Sequence, residues 1–103
     1  MGLKKEGALG VGTIKVAEGL TPNNDGRNDT WKIEGIEAYP EAQVYVYNRL
    51  GKVVFAALRG YDNSWSSNFN NNDEPLPAGP YFFTIDLDAD GVVDKQGWIY
   101  INY

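Results

Sequence analysis

The chain has no cysteine and no histidine, and only one methionine among its 103 residues. Without cysteine there is no disulfide and no thiolate metal site. Without histidine there is no Ser–His pair, no imidazole general base and no imidazole zinc ligand. Positive charge is also scarce: nine Lys and Arg stand against fourteen Asp and Glu, for a net charge of −5. No Lys/Arg cluster breaks that acidity, so neither a nucleic-acid backbone nor an anionic membrane surface is expected as a partner. No apolar run reaches transmembrane length. No secretory leader is visible, so an exported chain of this kind would carry one upstream.

Aromatic residues are plentiful, with seven Tyr, four Phe and three Trp. Such a composition suits one folded domain with a modest core. Residues 1–12 hold four glycines and no sustained period and read as a linker or tail, leaving residues 13–103 as the domain. Apolar residues then alternate with polar ones at strand period. Ile14 and Val16 lie in a first strand over residues 13–18. Trp31, Ile33 and Ile36 mark a second short strand and its exit. Residues 42–48 and 53–58 form a hairpin around Arg49-Leu50-Gly51-Lys52. Residues 80–87 give the strongest strand, Asp88–Gly91 a turn, and residues 96–103 the closing strand. Residues 59–79 read as a long loop with one short strand near Trp65, and no helix is expected.

About seven short strands with frequent turns predict an all-β, immunoglobulin-like antiparallel β-sandwich. The expected core is Ile14, Val16, Trp31, Ile33, Val44, Val46, Val54, Trp65, Tyr81, Phe83, Ile85, Ile99 and Ile101. Which face of residues 53–58 turns inward stays open, because both faces are apolar.

Two loops concentrate oxygen ligands. The first holds Asn23, Asp25 and Asp29 around Gly26; the second holds Asp86, Asp88 and Asp90, then Gly91 and Asp94. Closely spaced carboxylates and amides suit Ca2+, which takes six to eight hard oxygens. The same side chains also serve turns by accepting from their own backbone N–H groups, and for both loops that is the preferred reading. Neither loop carries the bidentate Glu of an EF-hand at its twelfth position. Glu74, Asp86 and Asp88 do not amount to an acid–base pair, because nothing in so small a domain builds a cleft. No catalytic residue is assigned.

Alternation places Tyr45, Tyr47, Phe82, Trp98 and Tyr100 on the outward faces of three strands. They would form a docking strip for a protein or a stacking platform for sugar rings, or else simply stabilise a solvent face by cross-strand pairing. In Asn48-Arg49-Leu50-Gly51, Asn48 and Gly51 are turn residues. Arg49 has no turn-forming role. It is expected to pair with a carboxylate of the chain, or failing that with a partner.

The order of five motifs resembles the gliding motility-associated C-terminal domain, the type B sorting domain of type IX secretion substrates in Bacteroidota. They are Thr21-Pro22-Asn23-Asn24-Asp25-Gly26-Arg27-Asn28-Asp29, Gly35-Ile36-Glu37-Ala38-Tyr39-Pro40, Asn48–Gly51, Leu76-Pro77-Ala78-Gly79-Pro80-Tyr81 after Trp65, and the closing strand at Trp98–Ile101. The resemblance spans about residues 20–103. It implies a secretion and surface-attachment module, carried at the end of a larger exported cargo and recognised by an outer-membrane type IX component. That component would grip one sheet face and the last strand, by edge augmentation among other routes. The alternative is a carbohydrate-binding or adhesive module that uses the aromatic strip.

Overall fold

The computed structural model describes residues 14–22, 29–66 and 75–103. Among them are seven strands: β1 (Lys15–Val16), β2 (Gly19–Leu20), β3 (Ile33–Glu34), β4 (Gln43–Tyr47), β5 (Val53–Ala57), β6 (Gly79–Asp86) and β7 (Lys95–Ile101). They form a five-stranded sheet in the order β2-β7-β6-β4-β5 and a two-stranded β1-β3 sheet. The fold is all-β, a sandwich of one broad layer and one small one. The linker reading of residues 1–12 falls outside the described residues.

Alternation sets the faces. In β4, Val44 and Val46 are buried while Gln43, Tyr45 and Tyr47 are half-buried on the opposite side. In β6, Tyr81, Phe83 and Ile85 face the same interior, as do Ile99 and Ile101 of β7. Of the expected core only Val16 is not fully enclosed; it packs on the cluster's margin. Val54 resolves the ambiguity in β5: it is buried and Val53 is exposed, and a register shift opposite Val46 and Tyr47 lets Phe55 also turn inward.

Four features depart from the expectations. The first strand is shorter than residues 13–18, and a second two-residue strand, Gly19–Leu20, runs parallel to β7, so the sheet is mixed rather than wholly antiparallel. The close approach needs glycine, because a Cβ on Gly19 would sit 2.8 Å from the Tyr100 carbonyl oxygen. Ile36–Ala38 forms a 3-10 turn, entered through Gly35 at φ 91°. Trp65 is in no strand; its carbonyl instead accepts from the Trp31 N–H at 2.9 Å. Finally, β7 lies between β6 and β2. The last strand is therefore interior over Tyr100 and Ile101, and the outer edge of the sheet at that side belongs to β2.

The small layer is held by aromatic packing. Trp31 contacts Tyr61, Trp65 and Phe83 with ring centroids 5.7, 6.1 and 5.4 Å apart. Phe55 stacks on Trp65 at 4.8 Å. Tyr61 was missed as a core residue because it sits in a run rich in Asn, Ser and Asp. Its hydroxyl is satisfied inside, donating to the Trp31 carbonyl at 2.8 Å and accepting from the Trp65 N–H at 3.2 Å.

Candidate docking face and acidic turn

Register brings the outward aromatics into one row. Tyr47 of β4 lies opposite Phe82 of β6, and Phe82 lies opposite Trp98 of β7. The rings touch in sequence: Tyr45 stacks on Tyr47 (6.2 Å, 20°), Tyr47 tilts against Phe82 (6.5 Å, 42°), and Phe82 meets Trp98 edge-on (5.2 Å, 66°). Tyr100 stands beyond Trp98 on the same face, opposite Pro80. Pairs of this kind contribute roughly 0.5–1.5 kcal/mol each beyond burial, which explains the half-buried Tyr45, Tyr47 and Phe82. It does not account for the outer rings: Trp98 remains 54 % and Tyr100 57 % exposed. Val53, opposite Tyr47 and also exposed, extends the row onto β5. Alternation alone assigns Val53 to no face, because both faces of residues 53–58 are apolar.

At the end of this row the β4–β5 turn is tied by one side chain. Asn48 Oδ1 accepts from the Leu50 N–H at 2.9 Å and the Lys52 N–H at 3.0 Å. Gly51 takes φ +84°, which favours glycine. Arg49 is exposed and, among the described residues, forms no ion pair. The expected carboxylate partner within the chain is not found there.

The acidic turn between β6 and β7 is built by its own carboxylates. Asp86 is buried, and its two oxygens accept from the Asp90 N–H at 3.2 Å and the Gly91 N–H at 2.8 Å. Asp94 accepts from the Leu87 N–H at 2.8 Å, and Asp90 from the Val92 N–H at 2.9 Å. Ala89 and Gly91 both take positive φ to let the chain reverse around Asp86. Asp86, Asp88, Asp90 and Asp94 each bring one oxygen within 4.8 Å of the others. Of the seven candidate calcium ligands these four come together. Asp29 is not part of that group, and its carbonyl accepts from the Ser66 hydroxyl. Asn23, Asp25 and Glu74 lie outside the described residues.

Among the described residues no helix is long and apolar enough to cross a membrane. No curated protein matches the chain, and no solved structure does. A family model described as the CHU_C type IX secretion signal domain matches residues 14–101. That span runs from the buried Ile14 to the end of β7, and it contains the aromatic row, the Asn48 turn and the acidic turn. A secretion signal domain is not a catalytic family. With the match covering the whole described sandwich, the chain belongs to the family of CHU_C type IX secretion signal domains.

Proposed function

We propose that this domain is the export and surface-attachment module of a larger secreted protein, gripped by an outer-membrane type IX component through the outer face of the five-stranded sheet. The supporting observation is the contiguous row Tyr45–Tyr47–Phe82–Trp98, which ends in the more than half exposed Trp98, with the equally exposed Tyr100 beyond it on the same face. An exposed aromatic row that exceeds what its own pairing needs is the usual material of a protein interface. Sugar stacking asks for open ring faces, whereas Phe82 and Trp98 meet edge to face. With Tyr100 and Ile101 of β7 paired on both sides, augmentation of the last strand would be confined to Lys95–Ile99, and face recognition is the preferred route.

The test is a fluorescent cargo fused ahead of the chain and expressed in a type IX-competent cell. The parent fusion is expected at the cell surface or in the medium. A fusion carrying both Tyr47→Ser and Trp98→Ser is expected to stay inside, although the variant domain still melts cooperatively. Unchanged surface display by that double variant ends the docking reading. Glycan-array binding without export supports the carbohydrate-binding alternative.

The acidic turn carries a separate proposal about Ca2+. Asp86, Asp90 and Asp94 already accept from backbone N–H groups, which favours a turn closed by its own side chains over one built around an ion. Melting with a chelator is expected to leave the midpoint where it stands in calcium buffer. A midpoint that rises with calcium, and does so no longer in Asp86→Asn, assigns the four carboxylates to the ion instead.

A further inference from the structure

Two of the five sequence motifs, far apart in the chain, face each other across one groove. The turn Asn48–Leu50 forms one wall and the segment Leu76–Tyr81 the other, around an open volume of about 420 Å3 with buried Val54 among its lining. That volume falls within the range of small-ligand sites, roughly 300–1,000 Å3.

Both walls are set before any ligand arrives. On one side the Asn48 side chain ties down the turn, and the Gly51 N–H donates to the Asn48 carbonyl at 2.9 Å. On the other, the Tyr81 hydroxyl donates to the Pro77 carbonyl at 2.7 Å and the Tyr103 hydroxyl to the Leu76 carbonyl at 2.6 Å. Pro77 and Pro80 fix their own φ. A ligand therefore orders little on binding, which favours affinity.

The chemistry of the groove is unlike that of the rest of the molecule. The chain carries fourteen acids to nine bases, yet among the described residues no acid lines this groove and the one charged residue lining it is Arg49. Arg49 makes no ion pair among the described residues. Beside it Leu50 is 91 % exposed, an apolar side chain that contributes almost nothing to the core. A planar guanidinium fork next to an uncovered aliphatic side chain matches a carboxylate next to an apolar one.

We infer that the groove receives an extended acidic segment of the export partner, with Arg49 gripping a carboxylate and Leu50 and Pro77 covering the adjacent apolar side chain. The inference rests on the docking reading of the outer face, which it joins through Pro80, a groove residue paired with Tyr100. It names the partner's chemistry, which the aromatic row alone leaves unspecified.

The test uses the full 103-residue chain and two short synthetic peptides, one alternating Asp with Leu and the other alternating Lys with Leu. In an NMR titration the acidic peptide is expected to shift the amide signals of Leu50, Gly51, Ala78 and Gly79, and the basic peptide to leave them in place. Arg49→Glu is expected to weaken the acidic peptide at least about tenfold, the order expected when a charge partner in an interface is removed. Arg49→Lys, which keeps the charge without the fork, is expected to fall between. All three proteins are expected to melt together, because Arg49 is exposed and unpaired among the described residues. Equal binding of the two peptides overturns the inference, as does an unchanged affinity in Arg49→Glu, or shifts confined to Tyr47 and Trp98. The two readings fail separately. Export that survives Tyr47→Ser with Trp98→Ser, alongside intact Arg49-dependent peptide binding, removes the aromatic face and keeps the groove. Export lost in that pair, with peptide binding indifferent to Arg49, does the reverse.

Discussion

Trp31→Ala is expected to leave the domain barely folded or unfolded at room temperature. Trp31 has no exposed surface, and its ring joins three others: Tyr61, Trp65 and Phe83. Phe83 belongs to the five-stranded sheet, whereas Trp65 and Tyr61 belong to the chain that covers it, so this one indole joins the two layers. Its Nε1–H also donates to the Ala17 carbonyl at 2.9 Å, holding the chain between β1 and β2. Truncating such a residue costs about 3–5 kcal/mol, against a total stability of about 5–15 kcal/mol for a domain. The Ala17 carbonyl loses its donor as well, which adds to the cost. Thermal and denaturant unfolding followed by circular dichroism check this. The midpoint is expected to fall by about 15 °C or more, at the 4–8 °C per kcal/mol typical of domains near this size. A midpoint within a few degrees of the parent would refute the account of the core.

Tyr61→Phe removes one oxygen and no ring, and is still expected to cost about 2 kcal/mol or more. The hydroxyl bridges the Trp31 carbonyl and the Trp65 N–H inside the protein. Deleting it removes one bond to a buried carbonyl and one from a buried N–H, and a buried hydrogen bond left unmade costs about 1–3 kcal/mol. The same hydroxyl makes stability depend on alkaline pH. Burial pushes the Tyr61 ionisation up from its ordinary value of 10.0, and the Trp65 backbone contact opposes that only in part. Above pH 10.0 the unfolded chain releases this proton while the folded chain keeps it. The unfolded state then binds fewer protons, so stability is whole below that pH and declines as pH rises, by up to about 1.4 kcal/mol per pH unit for one group. In Tyr61→Phe the alkaline decline is expected to be shallower. Some of it remains, since burial and then the neighbouring Tyr103 raise Tyr81 as well, with Arg49 opposing. Denaturant midpoints measured from neutral to strongly alkaline pH give both results. Parallel pH curves for the two proteins would sink the second.

The composition of the outer face was legible because the side-chain period of a strand is two. Tyr45 and Tyr47 alternate with Val44 and Val46, and the buried pair fixes where the two rings point. The Asn48 turn was legible for a local reason too: its hydrogen bonds close within four residues. The acidic turn behaved likewise, with Asp86 reaching no farther than Gly91. Tyr61 was not legible, since its partners Trp31 and Trp65 place it in the core despite polar neighbours in sequence. The carboxylate expected for Arg49 was a guess about distant residues, and among those described the fold puts none there.

What the amino-acid order determined unaided was the all-β class, the inward and outward sets of β4, β6 and β7, and the chemistry of the tight turns. These depend on neighbours within a few residues, where backbone geometry leaves few choices. Only the tertiary structure decided that Gly19–Leu20 would run parallel to β7, that Tyr61 would bridge Trp31 and Trp65, and that the Asn48 turn would face Leu76–Tyr81 across a groove. Those arrangements join segments many residues apart. Their selection comes from burying the whole set of rings and aliphatic side chains at once, and no local pattern encodes that sum.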